Sequence, residues 1–116
     1  MIRQASECKT ENRENMRGGY GTVHMTSLIS GPEELYDKGR LFSKISLGPG
    51  CSIGYHVHEH DSEIYYITAG TAEYNDNGVI REVHAGDVAI CPEGEGHSLT
   101  NSSNEVVELI ALIVYA

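Results

Sequence analysis

The sequence has few basic residues, and that shortage narrows the functions open to it. Eight Lys and Arg stand against 17 Asp and Glu, for a formal net charge of −9. Nucleic acids and anionic membrane surfaces are bound through positive patches, so this balance disfavours both as partners. Long apolar runs are also missing: no stretch approaches the roughly 18 consecutive apolar residues of a membrane-spanning helix.

Cysteine is scarce as well. The three cysteines, Cys8, Cys51 and Cys91, are odd in number and form no C-x-x-C pair. This excludes a regular disulfide framework and favours reduced thiols. Residues 1–7 lack the apolar core of a secretion signal. We therefore expect a cytoplasmic protein with three free thiols.

A chain of 116 residues fits one domain. Residues 1–17 are polar and charged, and we expect them to form an N-terminal arm or a short edge strand. The domain itself is then expected over residues 18–116. Thirteen glycines and seven tyrosines, without a single tryptophan, favour turns and strands.

Short strand-like runs bounded by turn residues fill the expected domain, and no 11-residue segment has a clear helical period. Residues 75–78, Asn-Asp-Asn-Gly, are a strong hairpin signal. Many short strands with regular turns predict an all-β sandwich or closed barrel. The predicted strands cover residues 21–29, 40–47, 51–58, 63–69, 71–75, 79–84, 87–91, 96–101 and 105–115.

Three histidines and one glutamate have the spacing of a metal site. His56 and His58 are two apart, so on a strand their imidazoles point to the same face. Glu63 opens the next predicted strand, and His97 comes from a later hairpin that can close the site. Imidazole nitrogens with one carboxylate suit a divalent transition metal, and Mn, Fe, Ni, Co, Zn and Cu all stay open.

The spacing of these residues resembles the two motifs of the cupin family. The first motif, G-x5-H-x-H-x(3,4)-E-x6-G, is matched by Gly50, His56, His58, Glu63 and Gly70. The second, G-x5-P-x-G-x2-H-x3-N, is matched by Gly86, Pro92, Gly94, His97 and Asn101. The resemblance implies a small single-domain cupin of the cupin 2 conserved barrel type. Its fold is a double-stranded β-helix, or jelly-roll, barrel that binds one metal per chain.

Two local expectations follow for the motif residues that are not ligands. Gly50 and Gly86 fall at turn positions where a positive φ is easiest for glycine. Asn101 is expected to hydrogen-bond the backbone of a turn and to serve structure rather than chemistry.

The resemblance leaves two classes of function open. One is a metalloenzyme acting on a small molecule by dioxygenation, decarboxylation or isomerisation, with oxalate decarboxylation as one example. The other is a non-catalytic module that binds or senses a small molecule through its metal. Oxalate decarboxylases of this family carry an arginine three residues before the first ligand histidine, where this chain has Ile53. That difference weakens the decarboxylase assignment, and only Arg17, Arg40 or Lys44 remain to attract an anion beside the metal.

Strand alternation predicts what surrounds the metal. Tyr65 and Ile67 share the face of Glu63, Leu99 shares that of His97, and Val88 and Ile90 are expected to line the same cavity. Tyr65 is either a core residue holding a hydrogen bond or a substrate contact and proton donor. His60 is either a rim residue or a fifth ligand or proton shuttle. Tyr65 and His60 are thus the catalytic candidates.

The opposite face of the ligand strands predicts a partner surface. Its apolar residues are Ile53, Tyr55, Val57, Ile64 and Tyr66, and the last strand is apolar on both faces over residues 106–114 except for Glu108. A contiguous exposed apolar patch usually marks an interface. We predict a homodimer packed through these sheets. The resemblance further implies that the arm can cross to the other subunit.

Overall fold

A computed structural model describes all 116 residues, and it consists almost entirely of antiparallel strands. Short 3-10 turns at Ala5–Glu7, Met16–Gly18 and Pro32–Leu35 are its helical parts. No helical segment has the length and apolar character needed to cross a membrane. The prediction of an all-β chain is confirmed. The strands are β1 (Thr10–Glu14), β2 (Thr22–Ser27), β3 (Gly39–Leu47), β4 (Ser52–Val57), β5 (Asp61–Ala69), β6 (Thr71–Asp76), β7 (Val79–His84), β8 (Val88–Cys91), β9 (Gly96–Thr100) and β10 (Val107–Tyr115).

The strands form two facing sheets of the jelly-roll type. The six-stranded sheet has the order β1-β2-β3-β10-β5-β8, and the four-stranded sheet has the order β4-β9-β6-β7. Strands next to each other in a sheet are mostly distant in sequence, such as β10 between β3 and β5. This wrapping places the ligand strands β4 and β9 in one sheet and β5 in the other, so the site lies between the sheets.

The space between the sheets is filled by alternating inward side chains, as the strand period requires. On β10 the inward residues are Val107, Leu109, Ala111 and Ile113, all at most 4% exposed. The inward placement predicted for Tyr65, Ile67 and Leu99 is confirmed, since these side chains are 2%, 0% and 0% exposed. The apolar core therefore surrounds the metal-ligand candidates at one end of the sandwich.

The prediction for β8 is wrong. Val88 and Ile90 are 57% and 58% exposed, while Ala89 and Cys91 are buried. The reason is the pairing with β5, where Tyr65 lies opposite Ala89 and Glu63 opposite Cys91. The sequence Val-Ala-Ile-Cys is apolar at every position, so its pattern could not show which alternate set faces the core.

The prediction for Ile53 is also wrong, because a β-bulge changes the parity of β4. Ile53 pairs with Leu99 and His56 pairs with His97. The two β4 residues are three positions apart and their β9 partners only two, so β4 contains one extra residue here. The extra residue turns both Ile53 and His56 inward. Ile53 is 1% exposed and belongs to the core.

The predicted apolar outer patch is not contiguous. Tyr55 and Val57 are on β4 in the four-stranded sheet, whereas Ile64 and Tyr66 are on β5 in the six-stranded sheet. The two pairs therefore lie on opposite outer faces of the sandwich. An apolar outer face does exist, but it belongs to the six-stranded sheet alone.

Residues 10–14 of the expected arm form strand β1, which pairs with β2 of the same chain. The register places Thr10 opposite Thr26 and Glu14 opposite Thr22. All five residues of β1 are exposed, as is typical of an edge strand. The 3-10 turn Met16–Gly18 then crosses to the four-stranded sheet and contacts β4.

The motif residues that are not ligands fix the turns. Gly50 and Gly86 have φ of 79° and 95°, as their turn positions predicted. Asn101 is fully buried, and its Nδ2 donates to the carbonyls of Leu47 and Glu105 at 2.9 and 2.7 Å. Its Oδ1 accepts from the backbone N–H of Ser103 at 3.0 Å. Asn101 thus ties the end of β3 to the loop that follows β9, which confirms the structural role expected of it.

Asn101→Ala should therefore destabilise the domain. The change leaves buried backbone groups without partners, and we expect the free energy of unfolding to fall by about 2–4 kcal/mol. Denaturant unfolding followed by circular dichroism measures this fall. The matched control is Asn104→Ala, at an exposed position in the same loop, for which we expect a change within about 0.5 kcal/mol. Equal effects of the two substitutions would refute the role of Asn101.

Candidate metal centre

Three histidines and one glutamate bring one ligand atom each to a common point. His56 lies on β4, His58 just after it, Glu63 on β5 and His97 on β9. Nε2 of His97 is 3.1 Å from Nε2 of His58, 3.2 Å from Nε2 of His56 and 3.0 Å from Oε1 of Glu63. All four ligand atoms lie within 4.8 Å of one another. The structure therefore assembles the four residues that the sequence selected.

The backbone positions each of the three imidazoles. His56 and His97 are cross-strand partners on β4 and β9. His58 is held by two backbone bonds, from its own N–H to Glu95 O and from Gly94 N–H to its carbonyl, at 3.0 and 2.8 Å. The Pro92–Gly94 turn thus connects the strand of His97 to the loop of His58, which explains why the two motifs belong together.

Hydrogen bonds at Nδ1 fix how each ring presents its Nε2. Nδ1 of His56 donates to the carbonyl of Gly54 at 2.8 Å, and Nδ1 of His58 to Oδ1 of Asp61 at 2.7 Å. The Tyr74 hydroxyl, 2.8 Å from Nδ1 of His97, can accept a bond of the same kind. A neutral imidazole that donates from Nδ1 carries a lone pair at Nε2. Three lone pairs therefore point at one another and at a carboxylate oxygen.

The spacing of these atoms fits a divalent transition metal. Two ligand atoms that are each about 2.1 Å from a metal, at right angles to one another, lie about 3.0 Å apart. The closest pairs here are 3.0 to 3.2 Å apart. Converging lone pairs repel one another, and a cation at their centre converts that repulsion into attraction. The donor set, three nitrogens and one oxygen, is one that Mn, Fe, Co, Ni, Zn and Cu all accept.

The environment keeps Glu63 ionised. Burial of the carboxyl, which is 5% exposed, opposes ionisation, but the surrounding imidazoles of His56, His58 and His97 outweigh burial and hold the pKa of Glu63 far below the usual range. Burial lowers the pKa of His97, which favours its neutral form. A neutral imidazole and an ionised carboxylate are the states that coordinate metals.

Asp61 is a supporting residue that the sequence analysis missed. Its Oδ1 accepts from His58, and its Oδ2 accepts from Nε of Arg40 at 3.0 Å. Although burial opposes ionisation, hydrogen bonds from His58 and Arg40 lower the pKa of Asp61. An acidic residue between two ligand candidates was the available signal, but the sequence did not show that its side chain turns inward.

Two tyrosines pack on His97. The ring of Tyr65 stacks on the imidazole with centroids 4.9 Å apart, and Tyr74 meets it edge-on at 5.5 Å. Burial raises the pKa of Tyr65 well above its ordinary value, so the phenol stays protonated. Tyr74 was also missed, although the inward alternation of Ala72 and Tyr74 on β6 could have indicated it.

His60 is not brought to the cluster. Its side chain is 93% exposed, and its nearest charged partner is Glu93 at 3.8 Å. Its φ of 64° marks it as part of a tight turn between β4 and β5. In that turn the two-residue alternation that linked His60 to His56 and His58 no longer holds.

Cys91 lies opposite Glu63 but has the properties of a core residue. It is 2% exposed, and burial with the nearby Glu63 carboxylate raises the pKa of its thiol to about 11. A protonated thiol is a poor metal ligand. Cys8, Cys51 and Cys91 are all free in the structure, which agrees with the expectation of three unpaired thiols.

A small cavity of about 30 Å³ adjoins the ligand atoms of His56, His58 and Glu63. Its walls include Tyr65 and Ile113 from the core. At its mouth stand the basic residues Arg13, Arg17 and Arg40. The site thus has an enclosed metal-ligand end and a basic opening.

Comparison with known families agrees with this geometry. A family model of the cupin domain matches residues 43–115, which include all four candidate ligands. The chain belongs to the cupin family. The resemblance drawn from the two motifs is thereby confirmed for this cupin, as is its jelly-roll fold.

Three similar proteins place the cupin more closely. An oxalate-binding protein of Thermotoga maritima is 43% identical over 114 residues, covering 98% of this chain and 93% of that protein. The crystal structure of a predicted oxalate decarboxylase from the same organism has a TM-score of 0.94 at 42% identity, with both chains fully covered. An uncharacterized HTH-type transcriptional regulator of Escherichia coli is 24% identical over 67 residues, which are 58% of this chain and 22% of the regulator.

Replacing Asp61 tests whether its hydrogen bond with Nδ1 of His58 orients that imidazole for metal binding. Asp61→Asn keeps the shape but removes the charge that holds Nδ1 protonated, and we expect Mn²⁺ or Co²⁺ affinity to fall about 10- to 100-fold. Metal titration monitored by calorimetry measures this. The control is Asp37→Asn, on the surface at φ of 55°, where asparagine is well tolerated. Unchanged affinity in Asp61→Asn would remove the supporting role.

Proposed function

We propose that this cupin holds one divalent transition metal with His56, His58, Glu63 and His97 and uses it to bind a small dicarboxylate of the oxalate type. The observation that carries the proposal is the convergence of three Nε2 atoms and one carboxylate oxygen at the end of a cavity with a basic mouth. The similarity to an oxalate-binding protein over 98% of the chain supports the ligand class.

Charge and size both favour a small anion. When bound, the metal would supply a Lewis-acid centre with positions left open for carboxylate oxygens. One ionised ligand, Glu63, leaves a divalent ion with one net positive charge at the cavity end. The cavity of about 30 Å³, close to the share of one water molecule in liquid water, leaves no room for a sugar.

Binding without turnover is the function we favour. Decarboxylation of oxalate to formate and carbon dioxide consumes one proton, which a group beside the substrate must deliver. Of the two catalytic candidates, His60 lies outside the cavity, and Tyr65 lines it as a buried phenol with a strongly raised pKa. His60 is therefore out of reach of a molecule in the cavity, and Tyr65 holds its proton too strongly to donate it readily at neutral pH.

Decarboxylation is the second candidate, because a solved structure with a TM-score of 0.94 is described as a predicted oxalate decarboxylase. In that function Tyr65 would be the proton donor, since it is a cavity residue with a transferable proton. Incubation of the manganese-loaded protein with ¹³C-oxalate distinguishes the two candidates. Formate produced by wild type and lost in Tyr65→Phe would favour decarboxylation, and its absence favours binding alone.

The metal itself is tested by His97→Gln. Loss of the central imidazole should reduce metal content from about one equivalent to a small fraction, measured by elemental analysis of untagged protein. Added Mn²⁺ should raise the unfolding temperature of wild type and not that of the variant. The control is His84→Gln, since His84 is 57% exposed on β7. Full metal content in His97→Gln would contradict the proposed site.

Oxalate binding should then depend on the metal. Calorimetric titration of oxalate into metal-loaded protein is expected to give one site per chain. Protein stripped with a chelator and dialysed should give no binding, because the buried end of the cavity then holds the ionised Glu63 carboxylate without a metal, and this charge repels an anion. Equal binding by the stripped protein would show that the anion site is elsewhere.

We further propose that the cupin is a homodimer formed through the outer face of the six-stranded sheet. On this face, half-buried and exposed apolar side chains align across β3, β10, β5 and β8. In a monomer these side chains would be in contact with solvent. An isologous pairing of this one face would cover it on both copies. The apolar side chains form two rows of cross-strand partners. One row contains Phe42, Leu112, Ile64 and Ile90, and the next contains Ile110, Tyr66 and Val88.

Ile64→Lys tests the proposed dimer face, since it places a charge at the centre of the apolar rows. We expect dimeric wild type and a monomeric variant at micromolar concentration in size-exclusion chromatography with light scattering. The matched control is Ile80→Lys, at a 59% exposed position on the other sheet, which should stay dimeric. A monomeric wild type would rule out the dimer.

A further inference from the structure

We infer that Arg17, on the N-terminal arm, completes the ligand site by pairing with the second carboxylate of a dianionic ligand. The inference rests on the proposed function and deepens it. It assigns specificity for dianions to a residue outside the strands that carry the metal-ligand candidates. The arm is then part of the binding site.

Arg17 is distinguished from the other arginines at the cavity mouth by its lack of a partner. Arg40 is paired with Asp61 at 3.0 Å, and Arg13 with Glu11 at 2.8 Å. Arg17 is an exposed residue that lines the same cavity, and it takes part in none of the ion pairs that the other arginines form. Arg17 is therefore the arginine of the cavity lining whose positive charge is not paired within the chain.

The positive charges of the site then sum to two, which balances the charge of a dianion. A divalent metal with Glu63 carries one net positive charge, and the Asp61–Arg40 pair is neutral. Arg17 adds a second positive charge on the open side of the cavity. An arginine presents parallel N–H donors that match a carboxylate. A two-carbon dicarboxylate can thus meet the metal with one end and Arg17 with the other.

The arm holds Arg17 in place by direct backbone contact with β4. A Cβ at Gly54 would collide with the Arg17 carbonyl oxygen, and a Cβ at Gly19 would collide with Ser52 O. Two hydrogen bonds of 2.8 Å also join Ser52 and Tyr20: the Tyr20 N–H donates to Oγ of Ser52, and the Ser52 N–H donates to the carbonyl of Tyr20. Only glycine at positions 19 and 54 permits this approach. Gly54 thus has two contacts: it packs against the arm, and its carbonyl accepts the hydrogen bond that orients the candidate ligand His56.

The backbone at Arg17 is itself in an uncommon conformation. Arg17 has φ of 54° and ψ of 30°, and Asn15 has φ of 51°. A left-handed arginine is disfavoured and persists where the surroundings impose it. Here the bonds from Gly18 N–H to Asn15 O and from Asn15 N–H to Gly21 O, both 2.9 Å, close the turn.

The route to the site is basic as well. A second cavity of about 330 Å³ lies between β1, β2 and β3, and it shares Arg13 and Arg40 with the inner one. Lys9 also lines it. Four of the eight basic residues of a chain with net charge −9 therefore line the two cavities. Such focusing of positive charge attracts small anions against an acidic background.

The experiment compares Arg17→Gln and Arg17→Lys in the metal-loaded protein. Calorimetry measures the affinity for oxalate, a dianion, and for glycolate, a monoanion that can also bind a metal through two oxygens. We expect Arg17→Gln to lose about 10- to 100-fold in oxalate affinity, the value of a charge-assisted hydrogen-bond pair. Glycolate affinity should fall much less, and Arg17→Lys should restore part of the oxalate affinity.

Controls separate this inference from the proposed function. Metal content and unfolding temperature should be unchanged in both variants, and Arg81→Gln, which removes the same charge from a 68% exposed position on β7, should bind oxalate as wild type does. Wild type that binds no oxalate would contradict the proposed function. Metal-dependent oxalate binding that is equal in wild type and Arg17→Gln, or an equal loss for oxalate and glycolate, would overturn the role of Arg17 alone.

Discussion

The structure depends on the convergence of four electron-pair donors in a place that water hardly reaches. Nε2 of His58, Nε2 of His97 and Oε1 of Glu63 lie 3.0 to 3.1 Å apart, and each is buried. Donors without a shared proton repel one another at that separation, and repulsion in a medium of low polarity is strong. The surrounding fold opposes this repulsion, and a bound cation would remove it.

Several features of the fold hold the donors together. The bulge between Ile53 and His56 turns a core residue and a candidate ligand to the same side of β4. Asp61 and Gly54 fix the tautomers of His58 and His56 through Nδ1. The arm lies against Gly54, and its residue Arg17 lines the cavity. Metal-ligand geometry and anion access are therefore linked through the same short segment of β4.

The sequence predicted the fold and the four candidate ligands because both depend on local spacing. The H-x-H pair and the turn glycines act through neighbours a few residues away, so motif spacing carries the information. Ile53, Val88 and Ile90 were misplaced because alternation is informative only where polar and apolar residues alternate and no bulge intervenes. Tyr74 was missed because its contact with His97 joins segments far apart in sequence. Asp61 lies three residues after His58, but spacing alone does not show that its side chain turns inward.

The central claim is that His56, His58, Glu63 and His97 bind one metal ion. Crystals of protein purified without chelators, measured on either side of the absorption edge of the metal found by elemental analysis, test it most directly. The account predicts a single strong anomalous peak per chain, about 2.1 Å from the three Nε2 atoms and in contact with the Glu63 carboxylate. A metal-containing crystal whose anomalous peak lies elsewhere, or is missing from this cluster, would contradict it.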